Sequence, residues 1–171
     1  MEHYVGLDVS LEETSVCVLD SAGKIVWRGR CSSDPDAIAR IVRDRAPFAV
    51  RIGLETGQLS TWLVHGLRRL GLPVVCLDAR HAKAALSLQL NKTDDNDALG
   101  LAQIVRTGWY REVAVKGMNS QAVRVLLMAR TQLISQRQAT ANQIRGLLKT
   151  FGLLVGQEST RNRGRCSSRA A

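Results

Sequence analysis

Little in this sequence points outward to a membrane or to a redox compartment. It has no apolar run near the roughly 20 residues that a bilayer demands, and MEHYVGLDVS at the start carries no basic leader. The expectation is a cytoplasmic protein with no membrane partner. Cysteine is sparse: Cys17, Cys31, Cys76 and Cys166 form no CxxC pair and have no histidine at metal spacing, which argues against a zinc site or a disulfide framework. Cys17 and Cys76 sit in apolar, strand-like runs and read as small buried thiols. His65 and His81 fall in helical segments, with surface or packing roles expected.

Acidic residues are missing from one region. Residues 1–120 hold 15 Lys/Arg against 14 Asp/Glu, whereas residues 121–171 hold nine Lys/Arg against Glu158 alone. Most of the net charge of +9 therefore lies in the C-terminal third. Such an imbalance suits a polyanionic partner, most simply nucleic acid, although a solvated basic helix would carry the same charge. At 45% hydrophobic and 23% charged residues, the 171-residue chain has the composition of one globular domain with an appendage.

Along the chain, YVGLDV, TSVCVLD and KIVWRGR read as an antiparallel meander. Asp34 and Pro35 then open a helix that Pro47 ends, FAVRIGLE makes a fourth strand closing at Glu55, and a helix from about Ser60 stops before Gly71. PVVCLD is a fifth strand. Helical patterns follow in ARHAKAALSL and, after a polar break at Gln89 to Thr93, from about Asp94 to Arg106. From Asn119 to Phe151 the pattern is helical and free of proline. Leu127, Ile134, Ala141 and Leu148 recur every seven residues, with Ile144 and Phe151 as partners and Arg130 and Arg137 interrupting that second row. The Arg/Ser-rich tail QESTRNRGRCSSRAA has no periodicity and is expected to be disordered. The expected division is a domain at 1–112, a long basic helix at 119–155 acting as linker or coiled coil, and a tail at 156–171.

Three antiparallel strands followed by alternating helix and strand is the plan of an α/β, ribonuclease-H-like (RuvC-like) five-stranded mixed sheet. In it the first strand is central. Asp8 then ends the first strand and Glu55 the fourth, where ligands of such sheets gather. Asp94 and Asp97 lie three apart on one helix face, with Asp95 about 100° away round the helix. Capping and the helix dipole account for that pair taken alone. Four converging carboxylates, however, call for cations, and magnesium ions used in pairs suit phosphoryl transfer. Lys92 would add positive charge beside a scissile phosphate, and a solvated lysine is the equal alternative. Ser10 and Thr56 flank two of the acids, and turn-forming roles for them outweigh support of the carboxylates.

GLDVS at 6–10, LETG at 54–57 and KTDDNDA at 92–98, in that order and spacing, resemble the motifs of the DEDD insertion-sequence transposases, the IS110 family that includes the Piv-type DNA invertases. LISQRQATANQIRGLLKTFGLLVG at 133–156 is similar to the family's linking helix. The resemblance implies that Asp8, Glu55, Asp94 and Asp97 form a catalytic tetrad binding divalent metal, with Mg2+ expected as two ions. It implies DNA cleavage and rejoining during transposition, with a structured guide RNA choosing the DNA. Leu59 stands where relatives often carry an aromatic, and Leu88-Gln89-Leu90 where many are basic. Family members continue into a second domain that supplies a serine nucleophile. Ser159, Ser167 and Ser168 match nothing there, and the tail is expected to be a frameshifted or truncated end.

Other readings are a RuvC-like Holliday-junction nuclease and a catalytically incomplete module that only binds nucleic acid. In the latter, Arg124, Arg130, Arg137, Arg145 and Lys149 would contact phosphates. An actin-like ATPase would need a second glycine-rich phosphate turn, for which the chain has no room. Pairing of residues 119–151 makes a homo-oligomer the expected assembly.

Overall fold

A computed structural model of the chain describes residues 1–86 and 94–154. Three strands open it: β1 (His3–Val9), β2 (Glu13–Asp20) and β3 (Ile25–Ser32). The turn between the last two closes on Asp20, whose carboxylate accepts the Lys24 amide at 2.8 Å. Gly23 sits there at φ +85°, a region that favours glycine. Helix α1 (Pro35–Arg45) follows, and the Asp34 carboxylate accepts the Asp36 and Ala37 amides at 3.0 and 3.1 Å, as the Asp-Pro pair predicts. Then come β4 (Ala49–Glu55), α2 (Ser60–Arg69), β5 (Val74–Leu77), α3 (Ala79–Leu86) and α4 (Asp94–Thr107). Gly71 follows a helix end with positive φ, as expected, and Gly108 does the same after α4. The break at Gln89 to Thr93 lies outside the described residues, as does the tail.

The five strands pair in the order β3-β2-β1-β4-β5. β1 is central, antiparallel to β2 and parallel to β4, and β4 is parallel to β5. Side chains alternate between the two faces of a strand, so each face can be followed by parity. Val5, Leu7, Val16, Val18, Ile52 and Leu54 point one way and form a core with Ile38, Val42, Leu63 and Leu67 from α1 and α2. Tyr4, Gly6, Cys17, Leu19 and Gly53 belong to the other face, which α4 covers. Two glycines let that helix approach. A Cβ on Gly6 would overlap the backbone of Ala98 and Ala102, and one on Gly53 would overlap the Val105 side chain. After α4 the chain returns along β5, with the Val113 amide donating to the Cys76 carbonyl at 2.8 Å and the Asp78 amide to the Arg111 carbonyl at 3.1 Å.

The chain divides into two compact units, Met1–Gln121 and one that begins at Ala122. Most of helix α5 (Met118–Thr150) falls in the second. It runs for 33 residues, about 50 Å, and buries no side chain. Its charged residues are Arg124, Arg130, Arg137, Arg145 and Lys149, with no acid among them. Among the described residues, no helix is long and apolar enough to cross a membrane.

Candidate functional site

Pairing between β1 and β4 ends at Leu7 opposite Leu54, so the next residues, Asp8 and Glu55, are neighbours across two parallel strands at about 4.8 Å backbone spacing. Both share the parity of Gly6 and Gly53 and therefore belong to the α4 face. Each is half-buried. They help line a cleft of about 360 Å3 together with Val9, Ser10, Thr56 and Ser60.

Helix α4 runs antiparallel to β1. Near its C-terminal end, Gln103 Nε2 donates to the Gly23 carbonyl at 3.3 Å and Arg106 Nη1 to that of Ser21 at 3.2 Å. That turn lies beyond His3 of β1, which pairs with Asp20. With Ala98 against Gly6, the N-terminal end of α4 is directed toward Asp8 and Glu55. Asp97, half-buried, precedes Ala98 in that first turn. Asp94 is the first residue of α4, while its side chain and that of Asp95 lie outside the described residues, as do Lys92 and Leu88-Gln89-Leu90.

The loops that carry the two acids are tied down by their neighbours. Ser10 Oγ donates to the Glu13 carbonyl at 2.6 Å, and Ser33 Oγ donates to the Ser10 carbonyl at 2.7 Å. Thr56 Oγ1 accepts the Ala79 amide at 3.2 Å, and its own amide donates to the Leu77 carbonyl at 3.0 Å. Both residues thus make the turn contacts that the sequence favours for them. Ionised carboxylates only accept hydrogen bonds, and an adjacent pair open to a cleft suits a hard, oxygen-binding cation. Among the described residues, no group of three or more His, Cys, Asp or Glu side chains is placed to hold a metal.

The basic candidates all lie on α5. Arg124, Arg130, Arg137 and Lys149 are exposed, and Arg145, half-exposed, donates to Asn142 Oδ1 at 3.1 Å. Cys17 and Cys76 are fully buried, as expected, and burial pushes the Cys76 thiol pKa up. His65 Nε2 lies 2.9 Å from the Lys116 carbonyl, a structural contact. Sequence reasoning missed the Gly6 and Gly53 contacts with α4. The signal was present, because an isolated glycine within an apolar strand marks a close approach of backbone.

A five-stranded sheet with β1 central, antiparallel on one side and parallel on the other, and with helices on both faces, defines a ribonuclease-H-like domain. A family profile of DEDD transposases of the IS110 type, described as "Transposase", matches residues 5–152, and the chain belongs to that family. It is 28% identical over 160 residues to the transposase of insertion sequence IS1111A from Coxiella burnetii, covering 92% of this chain and 42% of the relative. Similarity to a probable family 20 transposase of Pseudomonas aeruginosa reaches 34% over 166 residues, 97% of this chain and 46% of the relative. The chain spans less than half the length of these relatives. Among solved structures, Thermus thermophilus RuvC in complex with a Holliday junction substrate superposes with a TM-score of 0.46 and 14% identity, over 66% of this chain and 100% of that one.

Proposed function

We propose that this chain carries the metal-dependent DNA-cleaving centre of an insertion-sequence transposase. The observation that carries the reading is the side-by-side position of Asp8 and Glu55 at the carboxyl ends of β1 and β4, facing a cleft toward which α4 directs its N-terminal end. Asp8, Glu55, Asp94 and Asp97 would hold two Mg2+ ions. When bound, the ions would offset the carboxylate charges and withdraw charge from a scissile phosphate. The protein's own part is to fix the acids on rigid strand ends and on one helix turn, so that little reorganisation accompanies the reaction.

DNA is the substrate in this reading, and Lys92 would contact it near the acids. The exposed basic residues Arg124, Arg130, Arg137 and Lys149, with Arg145, would hold phosphates of DNA or of a structured guide RNA. Residues 119–151 would pair two copies. A body at 1–112, a linking helix at 119–155 and a tail at 156–171 remain the proposed domain plan. A second reading, a module that binds nucleic acid without cutting it, is favoured by the concentration of exposed basic residues on α5.

The test is cleavage of branched and duplex DNA by the purified chain with magnesium, beside an Asp8→Ala control. Cleavage that needs magnesium and disappears in the control supports the nuclease reading, and preference for four-way junctions would favour the resolvase-like form. Binding with no cleavage would leave the binding module.

A further inference from the structure

We propose that Arg28 and Arg30, on the edge strand β3, hold phosphates of the DNA strand whose scissile bond lies at Asp8. The proposal rests on the DNA-cleaving reading above and extends the site sideways across the sheet. The register carries it. Asp8 pairs with Ser15, and Ser15 pairs with Arg30, while Gly6 pairs with Cys17, and Cys17 with Arg28. Paired residues share a face, so both arginines belong to the face of Asp8 and Glu55. Two strand spacings separate Arg30 from Asp8, about 10 Å of backbone. The two arginines stand about 7 Å apart along β3, close to the step between neighbouring phosphates of an extended strand.

Among the described residues, no helix packs mainly on this part of the face. Helix α4 packs on β1, β2 and β4, and Arg28 and Arg30 are exposed. The intervening residues hold the strand in place from behind: Trp27 and Cys31 pack against the core, and the Trp27 ring lies over Gly29, where a Cβ would overlap it. A strand pinned on one face presents its other side chains in fixed order. Glu13, opposite Ser32, is on the same face at the end of the row, and Asp8 lies in register with Arg30 two strands away. Next to a cluster of acids, DNA needs cations at the flank as well as at the scissile bond. A guanidinium suits that role because it presents several donors to phosphate oxygens.

An edge strand also uses charge to prevent edge-to-edge pairing, and the experiment separates the two roles. Binding of a branched DNA would be followed by fluorescence anisotropy with the full chain, with Ca2+ in place of Mg2+, between about 50 and 200 mM salt. In the Arg28→Ala/Arg30→Ala variant the slope of log affinity against log salt should fall by about 2, and in each single variant by about 1. Arg→Lys at both positions should retain the slope. Arg40→Ala, on α1 behind the sheet, should change nothing. Wild-type binding with an unchanged slope in the single and double variants would overturn this proposal alone. Self-association of the variants with that unchanged slope would overturn it in favour of edge protection. A wild-type chain that shows no salt-dependent binding would overturn the DNA reading and this proposal with it.

Discussion

The sheet and the long helix treat similar side chains in opposite ways. In the sheet, Val5, Leu7, Ile52 and Leu54 are removed from water completely, whereas Leu126, Leu127, Leu133 and Leu147 of α5 stay more than half exposed. The sheet therefore finds its partners within its own unit, through alternating side chains that α1, α2 and α4 cover. The helix does not. Helices in proteins gain most of their stability from packing, yet among the described residues α5 buries no side chain. Its sequence also divides. Ile144 and Phe151 supply the second row at its C-terminal end, but Arg130 and Arg137 take the same positions earlier. Burying an unpaired guanidinium against a second copy is costly. If two copies pair through α5, the turns around Ile144 and Phe151 suit that contact best, and Arg130 and Arg137 suit phosphate contact.

The largest effect that would sharpen this contrast is at Gly6. Gly6→Ala places a Cβ onto the backbone of Ala98 and Ala102, which cannot swing aside as a side chain would. A loss of about 3 kcal/mol is expected, a large share of the 5–15 kcal/mol typical of a domain. Urea denaturation checks it. Gly146→Ala in α5, where a Cβ meets nothing, should instead be neutral or raise helicity. Equal losses at the two glycines would erase the distinction between the units.

Next in size are changes on α5. If α5 pairs two copies and holds phosphates as proposed, Ile144→Asp should weaken self-association about tenfold, and Arg130→Leu/Arg137→Leu should strengthen it while lowering affinity for nucleic acid. Sedimentation and anisotropy would read the two effects. Denaturation of the sheet unit should shift by no more than about 0.5 kcal/mol in either variant, because these are surface positions. A large shift would mean that the helix is part of the sheet's stability after all.

Much of the body was legible because its signals are local. Alternation marked the strands, Asp34-Pro35 the start of α1, and Gly71 the end of α2. Asp8 and Glu55 could be placed at strand ends from the same pattern, and the order of strands and helices, as the plan of a ribonuclease-H-like sheet, put those strands side by side. Other parts depend on contacts between distant residues. Gly6 and Gly53 announce a close approach, but nothing local says that α4 is what approaches. The face taken by Arg28 and Arg30 depends on the β2–β3 register, which slips between Val18 and Leu19. A one-residue shift would send both side chains to the other face. The exposure of α5 was also not readable, since its seven-residue rows predict packing without naming the partner.

A smaller effect tests the helix cap of the body. Asp34 accepts two amides at the start of α1, so Asp34→Ala should cost about 1 kcal/mol in thermal or urea unfolding of the sheet unit. The far-ultraviolet signal of α5, whose N-terminal turn contains no acid, should be untouched.

The smallest effect is in the pH dependence, and it separates the units by chemistry rather than by packing. Asp78 accepts the Arg80 amide at 2.9 Å and the His81 amide at 3.3 Å at the start of α3. The Arg80 hydrogen bond is the main reason that its carboxyl pKa lies below the usual aspartate value; desolvation opposes it, and the His81 amide and nearby positive charge add to the lowering. A carboxylate held in its charged form by the fold binds fewer protons there than in the unfolded chain. Its contribution is therefore complete above the ordinary aspartate range and disappears as pH falls through the lowered value. Asp78→Asn keeps an oxygen acceptor but cannot titrate. The variant should show a shallower decline of body stability below about pH 4, the ordinary range for aspartate, with other carboxylates supplying what remains. Helix α5 has no Asp or Glu between Met118 and Thr150, so the same acid titration leaves its own side chains in one charge state. A drop in α5 helicity that follows the body step for step would show that the helix depends on the sheet unit, contrary to the division drawn from burial.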